Sequence, residues 1–539
     1  MTRGYPDVSM AALVFLAGEK YPDNTAYEYL RHRRSFRELE AEVRQCAKSF
    51  RALGIAPGDR VTLSLPNVPQ ALVMFYALNL LGAVACMTHP LSSGEEMEFY
   101  LASAKSRAFV TLYQFYDKFR PALESCGTEH IILTGAGDAL PPPLRAALSL
   151  REKKPPRAKN VLRYGDFLRL ARNFAGGYEH PARGDDVAAV LYSGGTSGRT
   201  KGILLTNLNF NACALLTGEA GDCVVPGTKM LAVMPIFHGF GLGVCIHTAL
   251  VGGLSCLLVP RFTVKSYAKL LKNRRPNYIA GVPTLYEALL RLPDTGKLDL
   301  SPLLGVFSGG DSLPPELKNR VDRFLSERGA TVRVREGYGL TECVTACCLT
   351  PPDGHREGSI GLPFRDTLFK IVTPETHEEL PPGQTGEICI CGPTVMAAYD
   401  GDAAETRSAL QTHSDGRVWL HTGDLGELDA DGYVYFRGRL KRMIVSSGYS
   451  VYPFQVESVL NKHEYVKQSC VVGVPDDYRM ERVKAFLILG ENAPPEGEAI
   501  EEIRAYCKLA LAPYNRPREF EVRESFPVTL VGKIAYTKL

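Results

Sequence analysis

Ser193-Gly194-Gly195-Thr196-Ser197-Gly198-Arg199-Thr200-Lys201-Gly202 holds four glycines, four hydroxyls and two basic residues, with no apolar side chain. Glycine lets the backbone take positive φ and bring its N–H groups close to an anion. Hydroxyls add compact donors, and Lys201 adds a mobile point charge. An apolar run, 187–192, leads into the stretch and reads as a buried strand; a second run, 203–205, follows it. Strand, glycine-hydroxyl loop with lysine, strand is one way to hold a polyphosphate. The order Lys201-Gly202 excludes a Walker A loop, which needs Gly-Lys followed by Ser or Thr. A plain Gly/Ser surface turn between strands is the other reading, and this stretch alone leaves both open.

Working outward, the chain of 539 residues exceeds one hydrophobic core and implies two or more domains. A formal charge of +3, evenly spread, argues against a nucleic-acid or membrane-surface protein. The 14 cysteines form no CxxC pair and no Cys/His ligand spacing, so they read as reduced packing residues of a cytoplasmic protein. Residues 10–17 are a short apolar run flanked by Pro6-Asp7 and Glu19-Lys20, which suits an amphipathic helix better than a signal peptide. The most apolar segment, 71–87, is too short to span a membrane, carries Asn79, and reads as a core helix plus the next strand. No integral membrane segment is expected.

Residues 1–180 alternate helical and strand patterns, as at 35–53 (helix) and 60–65 (strand). The alternation resumes from 185 to about 350 with strands at 229–234, 254–259 and 304–307, which predicts an α/β fold with doubly wound sheets. Ligands in such sheets bind beyond the carboxyl ends of the strands. After residue 350, strand-like pieces at 367–372, 386–391 and 433–436 lie between Pro/Gly/Asp turns, as in a small antiparallel subdomain. At Arg439-Leu440-Lys441-Arg442 the charge density jumps. About a hundred residues of separate βαβ texture follow, a size that suits a small α+β domain.

Further stretches pair chemistry with loop signals. Pro235-Ile236-Phe237-His238-Gly239-Phe240-Gly241 follows a strand and reads as too glycine-rich for a helix. Ser308-Gly309-Gly310-Asp311 precedes a helix begun at Pro314, with Asp311 or Ser312 as its expected cap. Glu336-Gly337-Tyr338-Gly339-Leu340-Thr341-Glu342 sets an aromatic face, a hydroxyl and a carboxylate close together. His421-Thr422-Gly423-Asp424 and Ser446-Ser447-Gly448-Tyr449 read as strand ends, and Lys533 lies six residues from the C-terminus. Alone, each is ordinarily a turn, a structural histidine or a solvated lysine.

In order and spacing, the set resembles the adenylate-forming (AMP-binding) superfamily, in its acyl-CoA synthetase or acid–thiol ligase branch, from about residue 21 to the end. The resemblance implies a large N-terminal adenylation domain, 1–438, with a small β-barrel-like subdomain, and a mobile lid, 439–539, hinged near Lys441. It implies ATP, Mg²⁺ and coenzyme A as co-substrates or cofactors. Ser193, Gly194, Gly195, Thr196, Ser197, Gly198 and Lys201 are then expected on the ATP phosphates. Gly309, Gly310, Gly337, Tyr338 and Gly339 are expected around adenine, with Asp311 touching its amine or only capping the next helix. Asp424, assisted by Arg439, is expected on the ribose. Thr341 is expected on the α-phosphate, Glu342 with Thr196 on the metal, and Lys533 bridging carboxylate and α-phosphate. The acyl pocket is expected from Phe237, His238 (the gate for the thiol), Gly239, Val282, Gly339 and Val344, with Gly239, Gly241 and Gly243 leaving room for a chain. Gly448 and Tyr449 are expected to line the thiol tunnel after lid rotation. The sequence departs from the common pattern at Thr200 (often Pro), at Asp311 (often small) and at Lys441-Arg442 (often acidic).

No acid occurs between Met230 and Pro260, so nothing there suits an ammonium, and a plain carboxylic acid is the expected substrate. A medium- or long-chain fatty acid is favoured, with a benzoate- or cinnamate-type acid as the alternative. Three readings stand: an acid–CoA ligase, an adenylating enzyme that loads a carrier protein, and a nucleotide-binding sensor without turnover. Intact Thr341, Glu342, Asp424 and Lys533 argue against the third.

Overall fold

The apolar segment near residue 80 forms one helix, Pro69–Leu81, and one strand, Val84–Met87. Gly82 turns the chain between them at φ +77, a conformation glycine adopts without a Cβ penalty. All 13 helical residues are buried, and polar Asn79 is satisfied by donating to Asn207 Oδ1 at 2.7 Å and accepting from Ala11 N at 2.9 Å. These elements come from a computed structural model that describes residues 4–149, 160–194, 200–222, 224–292, 298–374, 376–446, 449–476, 480–527 and 534–539.

The described residues divide into two compact units, 1–368 with 391–418, and 369–390 with 419–539. The larger unit holds two sheets. One is eight-stranded: five parallel neighbours between Val84–Met87 and Val161–Arg163, then Val187–Gly194 parallel to Val84–Met87, and the antiparallel strands Thr200–Thr206 and Ala398–Tyr399 at one edge. The other is nine-stranded, with a parallel centre that includes Lys229–Ala232, Tyr278–Gly281, Gly305–Ser308 and Val334–Tyr338.

The two sheets exchange strands across the sequence. Thr25–Tyr29 pairs with Ser255–Leu258 in the nine-stranded sheet, whereas Val187–Gly194 joins the sheet built from residues 60–163. Hydrophobic period identifies a strand without naming its neighbour, because pairing uses backbone groups common to all residues.

The smaller unit contains the antiparallel strands Gly386–Cys391, Val418–Leu428 and Val434–Arg439. A second sheet pairs Met480–Leu489 with Val466–Asp476 on one side and Glu519–Val522 on the other, packed on helices Pro453–Leu460 and Glu496–Ala510. Its own core centres on Val456, Leu460, Val471, Leu487 and Ile503, all buried. His421–Asp424 lies inside the long strand Val418–Leu428 rather than at a strand end.

All thirteen described cysteines are free thiols. Among the described residues, no helix is long and apolar enough to cross a membrane.

Candidate active site

Three parallel strands of the nine-stranded sheet end side by side at Gly281, Ser308 and Tyr338, with Ser308 opposite both Gly281 and Glu336. Their carboxyl ends place Val282, Gly309-Gly310 and Gly337 together. A Cβ on Gly309 would sit 3.2 Å from Gly337 O, and one on Gly310 would sit 3.3 Å from Val282 Cγ1. Gly310 adopts φ +79, the left-handed region that favours glycine. Two of the expected adenine stretches thus meet at the crevice where open α/β sheets bind ligands. The following helix begins at Pro315 with Pro314 as its cap. Asp311 and Ser312 therefore do not cap it; Asp311 Oδ1 accepts from Ser312 N at 2.9 Å.

Beneath Gly337, Glu336 carries a carboxyl pushed up to about 7, by burial first, with Lys318 lowering it and Asp322 raising it. Lys318 Nζ donates to Asp322 Oδ2 at 2.8 Å. In the sequence Glu336 is marked only by its place at the start of the stretch 336–342.

Val187–Gly194 and Thr200–Thr206 form an antiparallel hairpin with Ser193 opposite Lys201 and Gly194 opposite Thr200. Gly195, Thr196, Ser197 and Gly198 lie outside the described residues. Lys201 leaves the hairpin toward a segment the sequence reading did not single out. Ala398 and Tyr399 pair with Leu204 and Ile203, Asp400 N donates to Gly202 O at 2.8 Å, and Asp400 receives both Arg60 nitrogens at 2.6 and 2.9 Å. Tyr399 OH donates to Glu342 Oε1 at 2.9 Å, while Met396 N donates to Glu342 O at 2.7 Å. The carboxylate expected on the metal is therefore fixed from both its head and its backbone. No motif marked this segment, because its effect depends on contacts about 60 and 200 residues away.

Thr341 and Glu342 open a 3₁₀ turn, Thr341–Cys343, that ends in an unusual conformation. Val344, fully buried and β-branched, has φ +63 and ψ −61, and Thr345 N donates to Cys343 O at 2.7 Å. That is a γ-turn of the rare, strained hand, which persists only where packing over-determines it.

The packing comes from residues 239–248. The expectation of no helix over 235–241 holds through His238 and fails at its end, where Phe240–Thr248 forms a buried π-helical segment that starts one residue after Gly239. The glycines permit close contact, so the expectation that Gly239, Gly241 and Gly243 leave room for a chain fails. A Cβ on Gly239 would lie 1.7 Å from Val344 O, one on Gly241 2.0 Å from Pro235 O, and one on Gly243 3.0 Å from Val344 Cγ1. Gly339 faces Thr345 O in the same way, at 1.4 Å.

Phe237 and His238 stand at the approach to this helix. Phe237 packs on His89, with ring centroids 4.5 Å apart, and burial lowers the His89 pKa. His238 Nδ1 accepts from Phe240 N at 3.2 Å. Buried Asn67 holds the approach in place, donating to Ala232 O and Met234 O and accepting from Ile236 N at 2.8–2.9 Å. Sequence reasoning passed over His89 and Asn67, whose flanking prolines mark turns only.

In the smaller unit, Asp424 lies across the ladder from Arg439, whose Nε reaches Asp424 Oδ1 at 2.8 Å; Asp424 is fully buried. Buried Glu387 orients the strand by accepting from Gly423 N at 2.9 Å and pairing with His421 Nδ1 at 2.8 Å. Lys441 is exposed on a single 3₁₀ turn, Leu440–Arg442, next to anchored Arg442. Arg442 reaches Glu457 Oε1 at 2.6 Å and covers the Tyr536 ring at 3.7 Å. Tyr449 opens the strand Tyr449–Val451 opposite Ser446. Gly448 and Lys533 lie outside the described residues.

A crevice of glycines at parallel strand ends, a hairpin lysine and a clamped carboxylate describe a nucleotide site, and the comparison with known proteins decides its kind. The AMP-binding enzyme family matches residues 14–400, and its C-terminal domain matches residues 455–533. The chain belongs to the AMP-binding enzymes. It is 30% identical to a long-chain-fatty-acid–CoA ligase of Bacillus subtilis (strain 168), covering 99% of this chain and 94% of that protein. It is equally 30% identical to a feruloyl-CoA synthase of an Amycolatopsis species, over 93% and 92% of the two chains. ATP-bound MatB from Rhodopseudomonas palustris superposes with a TM-score of 0.83 at 25% identity, over 98% of each chain. This AMP-binding enzyme is an ATP-dependent acid–CoA ligase that releases AMP, with ATP, Mg²⁺ and CoA as its reaction partners.

Proposed function

We propose that the acid is a medium- or long-chain fatty acid, and that the residues above serve the two half-reactions as follows. The substrate carboxylate attacks the α-phosphorus of ATP, and pyrophosphate leaves. The thiol of CoA then attacks the acyl carbonyl, a proton leaves the thiol, and AMP departs. Lys201 with residues 193–198 holds the departing phosphates. Gly309, Gly310, Asp311 and Tyr338 receive adenine, Asp424 with Arg439 receives the ribose, and Thr341 receives the α-phosphate. Lys533 neutralises charge where carboxylate meets α-phosphate, a contact realised only during adenylation.

Glu342 and Thr196 are the proposed Mg²⁺ residues, and hard oxygen donors suit that cation. Bound there, the ion offsets phosphate charge. Tyr399 holds the Glu342 carboxylate in one orientation, which limits the reorganisation needed when the ion arrives.

His238 gates the thiol. Rotation of residues 439–539 about Lys441 withdraws Lys533 and presents Gly448-Tyr449 to the pantetheine arm, and the division at 438/439 belongs to this proposal. A cytoplasmic setting is part of it as well.

The observation that carries the choice of acid is the approach to the π-helical segment. Residues 230–260 hold no carboxylate for a substrate ammonium, and the relative named as a long-chain-fatty-acid–CoA ligase supports a fatty acid. An aryl acid is the second reading, favoured by the relative named as a feruloyl-CoA synthase.

The test is a panel of fatty, aryl and amino acids with ATP, Mg²⁺ and CoA, following pyrophosphate and thioester separately. Fatty acids are expected to give both products, with a KM for CoA below about 1 mM. Aryl acids turning over faster assign the pocket to the second reading. Pyrophosphate without thioester at saturating CoA replaces CoA by a carrier protein.

A further inference from the structure

Lys201 does not wait in open solvent. Its ammonium forms an ion pair with Glu405 and lies over the ring of Tyr399, 4.7 Å from the centroid. The Lys201 side chain is 18% exposed and Glu405 40%. Tyr399 in turn donates to Glu342, so one chain of contacts runs Glu405–Lys201–Tyr399–Glu342. Its two carboxylates bracket the one lysine of the glycine hairpin.

Glu405 is held in place by its surroundings. It sits in the short helix Ala403–Ala409, where Asp402 Oδ1 accepts from Glu405 N at 2.9 Å. Thr406 Oγ1 donates to Asp402 O at 2.7 Å and accepts from Tyr399 N at 3.0 Å. The preceding residues are stapled to the lysine's own strand through the Ala398–Leu204 register and the Asp400 N to Gly202 O bond of 2.8 Å, and to the strand Arg60–Ser64 through the Arg60–Asp400 pair. Both backbones are therefore fixed relative to each other, and the Tyr399 ring under the ammonium covers one side of the Lys201 head.

We propose that Glu405 is an internal counter-ion: it occupies Lys201 in the ATP-free protein, the β- and γ-phosphates displace it, and it thereby sets the affinity for ATP. The inference rests on the reading of Lys201 as the phosphate-binding lysine. The lysine loses its pair with Glu405 when it takes the phosphates, so part of the gain on ATP binding is spent on the exchange. Displacement also places Glu405 near polyphosphate of like charge, which favours its withdrawal. AMP, which lacks both outer phosphates, leaves the pair intact.

The experiment is calorimetric titration of the full-length protein with ATP and with AMP, without acid, at fixed Mg²⁺. Glu405→Gln is expected to tighten ATP about fivefold, the order of a partly exposed ion pair, and to leave AMP unchanged. Glu405→Ala serves as a second variant with the same expected direction. In the Lys201→Gln background, Glu405→Gln is expected to give no tightening. Unchanged or weaker ATP binding in both Glu405 variants overturns the proposal. So does an ATP gain that survives loss of the lysine. The underlying reading fails separately: if Lys201→Gln leaves the ratio of ATP to AMP affinity unchanged, Lys201 does not hold the outer phosphates, whatever Glu405 does.

Discussion

Gly239→Ala adds one methyl group at the tightest described contact between the π-helical segment and the turn that carries Glu342. Gly239 has φ −52 and ψ −39, ordinary right-handed helical values. By backbone entropy alone the change stabilises by about 0.4–1 kcal/mol. Sterics oppose it. The new Cβ would lie 1.7 Å from Val344 O, and real Cβ contacts stay beyond about 3.0 Å, so the two backbones must part by more than an ångström. Neither side yields readily. Val344 is fully buried in its γ-turn, and the helix is buried from Gly241 to Thr248. Overpacking of this kind costs about 1–3 kcal/mol.

The larger effect falls on turnover, because Thr341 and Glu342 sit in the displaced turn. A 1 Å misplacement of reacting groups costs on the order of 10²-fold. The assay is pyrophosphate release with saturating acid, alongside a thermal melt. Gly239→Ala is expected to lower kcat about a hundredfold and the Tm by a few degrees. Gly243→Ala is the internal control, since its Cβ would meet side-chain atoms and no backbone, Val344 Cγ1 at 3.0 Å and Thr345 Cγ2 at 3.3 Å; it is expected to stay within about threefold of the parent, a shift below about 1 kcal/mol. Wild-type turnover in Gly239→Ala, or equal loss in both variants, refutes the reasoning.

Glu336→Gln tests the buried carboxyl under the adenine crevice. The folded group titrates near 7 against an ordinary 4.5, so folding binds a proton between those values, and stability falls as pH rises through that window. The glutamine variant is expected to melt higher than the parent at pH 8 and equally at pH 4; a parallel offset at both pH values removes Glu336 as the cause. Arg439→Ala leaves the fully buried Asp424 carboxylate without its cation, a loss on the order of 3 kcal/mol in denaturant titration, part of which Asp424→Asn is expected to recover. Lys533→Ala is expected to nearly abolish pyrophosphate release while thioester formation from supplied acyl-adenylate continues, and equal loss in both half-reactions contradicts its role.

Much of this molecule was legible before folding. Residues 35–53 read as a helix because of their 3.6-residue period, and the structure has Phe36–Ala52 with a Ser35–Glu38 capping box. Residues 71–87 read as a core helix followed by a strand, as observed. Local signals of this kind depend on residues within one turn or pleat. The motif order was likewise enough to place the chain in its family. Where a local rule failed, it met a tertiary contact: glycine content argued against a helix over 235–241, which holds through His238, yet Phe240–Thr248 is helical because missing Cβ atoms admit the backbones of Pro235 and Val344.

The sequence alone determined that Lys201 follows a glycine-hydroxyl loop between two strands, and that Glu342, Asp424 and Lys533 are present in family order. Only the tertiary structure decided what surrounds them. Strand Ala398–Tyr399, nearly 200 residues downstream, adds to the lysine's own sheet and carries Tyr399 and Glu405 to Lys201 and Glu342. The strand ends at Gly281, Ser308 and Tyr338 become one crevice only when their strands pair. The physical reason is that hydrogen bonding between strands is made by identical backbone groups at any sequence separation. The neighbour of a strand is therefore chosen by the packing of the whole unit, and the partner of a charge is chosen with it.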